Sequence, residues 1–382
     1  MQNRNIIVNA LGIQDSGGIT VLAKFMKELI NTEYKFLVVC NYNKNVLSLV
    51  ETYTKYENFK FQLIQNKGLL HRLYIENIVF RSIIKKNEIN IIYNFSGTAQ
   101  FFSKVLQLTK VHNLLFYSKR NDNVYFEKRK YLPWLKQIFL KRIVFHSMIK
   151  QTKNIEIQSS HVKEYMSDFI DISKKEFFIK SDIETDNDLF HNPNEYDFSR
   201  KLRYLYIVGP HFEYLHKNFE DFVKAMNKLK EDGCDFEVVV TLTKEQLHNS
   251  RLWDKSLDEK TIFLGYVSKD ELKKQFQDNT ILISTSVIET LGLHVIEAVQ
   301  NGILAIIPTE KYSLDVYGDN VLTYELFDCE SLVQTIKDIN LLNNNEVEDI
   351  IHKNQQYLIS NENKKYKSII TIFDEILKEK NV

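Results

Sequence analysis

Runs of β-branched and aromatic residues alternate with helical periodicities along the whole chain, and this alternation narrows the fold more than any other feature. In the first half, "NIIVNAL", "KFLVVC", "FKFQLI", "INIIYNF", "KVHNLLF" and "IEIQSS" read as strands, with "GGITVLAKFMKELI" and "HRLYIENIVFRSIIKK" as helices between them. The strands are continuous apolar runs rather than strict alternations, as in a parallel sheet covered on both faces. A second series follows residue 198, with strands "LRYLYIVG", "FEVVVTL", "TIFLGYV", "TILIST" and "GILAIIP" and helices "NFEDFVKAMNKLKEDG" and "SKDELKKQFQ". The class is α/β, with two doubly wound, Rossmann-like domains. The polar, aperiodic stretch "SDIETDNDLFHNPNEYDFSR" at 181–200 is the expected linker between a first domain, 1–180, and a second, 201–364. The charged helical tail, about 365–382, is of a kind that can pack back onto the first domain.

A length of 382 residues gives each domain room for its own core. Fifty basic residues balance fifty acidic ones, so overall charge does not suggest a nucleic-acid partner. The three cysteines, Cys40, Cys234 and Cys329, are widely spaced without CxxC pairs, which argues against a disulfide framework or a zinc site. The N-terminus lacks the pattern of a secretory signal and no long uninterrupted apolar run occurs, so a cytoplasmic location is expected.

Ligands of open α/β sheets bind beyond the carboxyl ends of strands, so the residues that follow each strand are the candidates. Gly17 and Gly18 open a helix after the first strand, where backbone N–H groups and the helix dipole can meet phosphate oxygens. No G-x-G-x-x-G is present, which counts against a nicotinamide enzyme. His112 ends a strand, a place for either a structural or a catalytic histidine. In "VGPHFEYLHKNFEDF", Lys217 precedes a helix, where a cation can face a pyrophosphate or simply be solvated. The "DND" at Asp186–Asp188 lies in the linker and reads as a polar turn rather than a metal site.

The stretch "SVIETLGLHVIEAVQNG" places Glu289 and Glu297 eight positions apart. If a helix opens near Leu291, then Leu291, Val295, Ala298 and Val299 form its apolar stripe, with Glu289, Leu293, Glu297 and Gln300 opposite. Two carboxylates so spaced stand about 12 Å apart along the axis, about the reach from a sugar across a pyrophosphate to a ribose. A separate segment, Lys119 to Lys153, holds ten basic residues and only two acids, Asp122 and Glu127, interleaved with Tyr131, Trp134, Phe139 and aliphatics. It fits an anionic bilayer surface, or equally a packed helix with a solvated basic face.

Together these residues resemble the retaining glycosyltransferases of family 4, over nearly the whole chain. The most specific match is "ETLGLHVIEA", which follows that family's E-x7-E motif, with Gly302 after it. Gly17–Gly18, His112, "QSSHVKEYM" and "VG…HKN" follow the family's order. The resemblance implies a GT-B fold, two Rossmann-like domains facing across a cleft. It implies that Glu289 faces the donor sugar, that Glu297 binds the ribose hydroxyls, and that His112 lies near the transferred sugar. The amides of Thr290, Leu291 and Gly292, with Lys217 and Gly18, would face the pyrophosphate, without an obligatory metal or any other cofactor. Many relatives carry an arginine shortly before the lysine; here Pro210 and His211 occupy that place, leaving His211, His216 or Lys217 to supply the contact.

The activity so implied is transfer of a sugar from a UDP- or GDP-type donor to a saccharide acceptor. The texture is most like bacterial O-antigen or capsule transferases, with a polyprenyl-diphosphate-linked acceptor at the inner membrane face. The alternatives are a sugar-nucleotide epimerase of the same fold and a non-catalytic nucleotide-sugar-binding protein.

Overall fold

The computed structural model describes residues 4–13, 16–180, 182–184, 187–365 and 367–379. The chain divides into two compact units, each built on one parallel sheet. Unit 1 comprises Met1–Tyr117, Leu132–Asp182 and Lys365–Val382, and unit 2 comprises Ser118–Tyr131 and Ile183–Lys364.

The strands of unit 1 are β1 (Asn5–Ala10), β2 (Lys35–Asn41), β3 (Phe59–Ile64), β4 (Ile91–Asn94), β5 (Leu106–Val111), β6 (Asn154–Ile157) and β7 (Glu176–Ile179). They pair in the order β3-β2-β1-β4-β5-β6-β7, so the strand order reverses between β1 and β4. Strand β1 shows why its sequence is a mostly apolar run rather than an alternation. Ile6, Val8 and Ala10 pack on one face with Phe25, Met26, Ile372 and Phe373, while Ile7 and Leu11 pack on the other with Ile75, Phe80 and Ile83. Successive side chains of a strand point to opposite faces, so a sheet clad on both needs apolar residues at every position.

In unit 2 the strands are β8 (Leu202–Tyr206), β9 (Phe236–Val240), β10 (Thr261–Phe263), β11 (Thr280–Ile283), β12 (Leu304–Pro308) and β13 (Leu322–Tyr324). Their order is β10-β9-β8-β11-β12-β13, with the reversal between β8 and β11.

Several expectations need correction. Strand β5 covers Leu106–Val111, not "KVHNLLF", because the chain turns into a 3-10 segment at Leu114–Tyr117. The short strands β7 and β13 carry too few residues to show a period. The expected linker is bound to unit 2 from Ile183 onward: Ile183 is buried there, Tyr196 donates to Thr280 O at 2.6 Å, and its hydroxyl accepts from Leu304 N at 2.8 Å. Of the "DND" turn, Asp186 lies outside the described residues.

Segment Ser118–Tyr131, expected in the first domain, belongs to unit 2. Its Val124 joins Val287 and Leu326, Arg120 reaches Glu310 at 3.3 Å, and Lys128 pairs with Glu220. The basic segment Lys119–Lys153 is therefore not one surface. Arg142 is also buried in unit 1, donating to Phe116 O at 2.9 Å with its guanidinium over the Phe169 ring.

Candidate functional site

The reversal in strand order of unit 2 opens a crevice beyond β8 and β11, and both main candidates lie there. After β8 the chain runs to a 3-10 turn, Leu215–Lys217, and Asn218 takes a left-handed conformation (φ 47°) before the helix Phe219–Glu231. The loop after β11 is stitched to this turn. Thr285 Oγ1 donates to Lys217 O at 2.9 Å, Tyr206 supports Thr285 at 2.7 Å, and Val287 N donates to His216 O at 2.8 Å. The two loops thereby fix Lys217 against Glu289, with Nζ donating to Oε1 at 2.7 Å.

Burial pushes the Glu289 carboxyl up. The Lys217 ammonium, His294 and hydrogen bonds from Lys217 and Ser286 outweigh it and hold the pKa at about 2. Glu289 is thus an anion at neutral pH, next to a cation. Burial lowers His294 to about 4, with Glu289 opposing and Lys217 adding to the shift, and its Nε2 lies 3.0 Å from Ser284 Oγ. His216 is buried and lowered to about 4, by burial and then by Lys217. It is therefore uncharged at neutral pH and does not replace an arginine's positive charge. His211 is exposed and stacks on Tyr214, ring centroids 5.0 Å apart.

The glutamate helix runs from Leu293 to Gln300, two residues later than expected. Gly292 at its N-cap is left-handed (φ 58°), so Glu289, Thr290 and Leu291 precede the helix and the 12 Å axial spacing does not apply. Glycine is required here twice over: by the positive φ, and because an added β-carbon would lie 2.1 Å from the Tyr317 hydroxyl. Val295, Ala298 and Val299 bury the expected stripe, but Gln300 is buried too, donating to Glu184 O at 2.6 Å. Glu297 is half-buried, its Oε1 3.5 Å from Lys269 Nζ.

Sequence reading missed the residues that set the shape of this loop. Tyr317 donates to Leu291 O at 2.6 Å and lies 3.2 Å from Gly292 O; Tyr312 donates to Ser286 O at 2.6 Å. These hydroxyls bind carbonyls on the core side, and the N-cap residue Gly292 has no side chain of its own to cap the helix that begins at Leu293. Its first amides keep their partial positive charge for an anion. The signal for His294 lay inside the motif, whereas that for Tyr317 lay 25 residues after Gly292, where no local pattern connects them. Tyr317→Phe is expected to cost about 1–3 kcal/mol, because two buried carbonyls lose their donor. Thermal unfolding checks this; an unchanged melting temperature would mean the carbonyls find other donors.

The remaining candidates are in unit 1. Gly17 is exposed in the helix Ser16–Leu29, with nothing within 4 Å of where a β-carbon would sit, so no neighbouring atom excludes a side chain there. Gly18 follows it in the same helix, and His112 is half-buried one residue beyond β5. The structure thus brings together Lys217, His216, Glu289, Thr290, Leu291, Gly292 and Glu297 in unit 2, while Gly17, Gly18 and His112 lie in unit 1.

Comparison with the curated proteins finds no match. Among solved structures, a glycosyltransferase from Rickettsia africae is 17% identical with a TM-score of 0.64, covering 99% of this chain and 100% of its own. HepE of Anabaena, in complex with UDP and glucose, is 12% identical with a TM-score of 0.62, covering 99% of both chains. The lipopolysaccharide outer core galactosyltransferase WaaB is 14% identical with a TM-score of 0.58, again covering 99% of both. At these identities the likeness is one of fold. The chain has the GT-B fold, and its residues 193–365 match the family described as Glycosyl transferases group 1.

Proposed function

We propose that the protein is a retaining glycosyltransferase, akin to family 4, that moves a sugar from a UDP- or GDP-type donor to a saccharide acceptor. The observation that carries this reading is the Lys217–Glu289 pair, 2.7 Å apart beyond the strands where the order of the unit 2 sheet reverses. A nucleoside diphosphate bound there takes over Lys217 as counter-ion and releases Glu289 toward the sugar. As the glycosidic bond loosens, charge grows on the leaving phosphate oxygen. The Lys217 ammonium and the amides behind Gly292 are already oriented to stabilise it, so no obligatory metal is needed.

Glu297 takes the ribose hydroxyls, exchanging its contact with Lys269. By the family resemblance, Gly17, Gly18, Thr290 and Leu291 serve the diphosphate and His112 the transferred sugar. His211 and His216 line the approach to Lys217 as hydrogen-bonding groups, His216 in its neutral form. The acceptor in this reading is lipid-linked through a polyprenyl diphosphate, in bacterial O-antigen or capsule synthesis at the cytoplasmic face of the membrane. The HepE complex with UDP and glucose supports the donor class, and the likeness to WaaB supports the pathway class.

The test is stabilisation by nucleotide. A ligand at a hundred times its Kd stabilises the folded state by about 2.7 kcal/mol, so UDP or GDP should raise the melting temperature. Lys217→Ala should weaken that nucleotide at least ~10-fold, the scale of a lost charge-assisted contact, read as a dissociation constant at a temperature where the variant is folded. No stabilisation of the wild type by any nucleoside diphosphate would reject the reading. Release of an epimerised nucleotide sugar without transfer would identify an epimerase instead.

A further inference from the structure

We infer that one face of unit 1 docks on an anionic bilayer, and that the helix spanning Leu69–Lys86, together with Phe102, enters the lipid interface. The helix buries Ile75, Phe80 and Ile83 against the sheet. On its outer side Leu70, Tyr74 and Ile78 recur at intervals of four, 82%, 55% and 52% exposed. Phe102 sits beside them, because Phe101 N donates to Asn77 Oδ1 at 2.8 Å. Phe102 is 83% exposed and left-handed (φ 54°), a conformation that a bulky side chain rarely adopts. Its ring meets Phe101 with centroids 6.3 Å apart and leaves most of its apolar surface open to a lipid interface.

Charge identifies the occupant. Lys67, Arg81, Lys85, Lys86 and Lys104 are exposed around this apolar row. Between Gln65 and Asn87 the only acid is Glu76, which is 1% exposed and bound to Arg72 at 2.8 Å. The loop 95–105 contains no acid. An apolar row set among bases, with exposed Glu88 coming only after the helix ends, matches the interface of a membrane with anionic headgroups.

Topology extends the face. The connections β3 to β4 and β5 to β6 step the same way across the sheet, so right-handed crossovers put their helices on the same side. The second connection exposes Leu132, Leu140 and Ile143 with Lys136 and Lys141, and residues 132–149 contain no acid. The next helix on that side, Ser160–Ser167, carries exposed Glu164 and marks the limit of the patch.

This inference deepens the lipid-linked acceptor reading and rests on it only for its purpose. The experiment is co-sedimentation of the full chain with phosphatidylglycerol–phosphatidylcholine vesicles, and with phosphatidylcholine alone. The wild type should bind the mixed vesicles and not the neutral ones. Leu70→Ser with Phe102→Asn should lower partitioning at least ~10-fold. Asparagine tolerates the left-handed conformation, so the melting temperature should hold or rise while vesicle binding falls. Lys136→Gln with Lys141→Gln reads the neighbouring helix separately.

Vesicle binding by the Leu70/Phe102 variant equal to the wild type would overturn the inference, as would wild-type protein that ignores anionic vesicles or binds neutral ones as well. UDP or GDP stabilisation, measured on the same samples, belongs to unit 2. Its absence would reject the transferase reading and leave the vesicle result standing.

Discussion

Glu289→Gln is expected to lower kcat by about 100-fold or more, the scale of losing one group positioned for the transition state. The carboxylate sits at the carboxyl end of β11, held by Lys217 at 2.7 Å with its pKa at about 2. Glutamine keeps the shape and loses the charge at the place where charge and geometry change most during transfer. Glu297→Gln should instead raise the donor KM with little change in kcat, since the ribose we propose for it is the same in ground and transition states. Steady-state kinetics with varied donor separates the two; equal losses confined to kcat would reject this division of labour.

The pH dependence has a definite sign. The Glu289 pKa is depressed below its ordinary value of 4.5, so the ion pair's stabilisation is complete above that value and fades as pH falls toward about 2. The difference in melting temperature between wild type and Glu289→Gln should therefore be flat around neutral pH. It should shrink as pH falls below about 4.5 toward 2.

Phe373→Ala is expected to destabilise unit 1 by about 3–5 kcal/mol, the range for truncating a buried phenylalanine. The side chain is 0% exposed and meets Tyr34, Phe36 and Tyr93 with ring centroids 5.7, 6.4 and 5.6 Å away. Ile369, Ile372 and Ile376 of the same helix, Ile369–Glu379, are also fully buried, so little can move in to fill the void. For a unit of this size the loss corresponds to roughly 10 °C in its melting transition. Calorimetry checks this, and nucleotide stabilisation of unit 2 should survive. A loss below about 1 kcal/mol would mean that the cavity collapses.

The doubly wound architecture was legible because most of its strands are short, largely apolar runs that alternate with helical periodicities. The ends of elements were less so. Nothing local in "KVHNLLF" tells that the strand stops at Val111, because the stop is made by the turn that follows. At the candidate site, Lys217 and Glu289 were legible from their places after strands. Their contact was not, since it depends on Thr285 and Val287 binding the backbone of the turn before Asn218. The allotment of Ser118–Tyr131 to unit 2 was invisible for the same reason. A single buried Val124 and a few ion pairs decide it, and none has a periodic signature.

The composition of unit 1 from three separated stretches bears on how the protein is made. Tyr34 donates to Asp374 at 2.5 Å across a sequence separation of 340 residues, and the helix carrying Asp374 completes the core around β1 and β2. During synthesis, the part of this core that Ile369–Glu379 covers stays open until that helix emerges. Chains grow at about 5–20 residues per second, so that exposure lasts tens of seconds while almost all of unit 2 emerges and can fold. The nascent chain therefore carries a long-lived sticky surface, and loss of Ile369–Glu379 should lead to aggregation rather than to a shortened working protein.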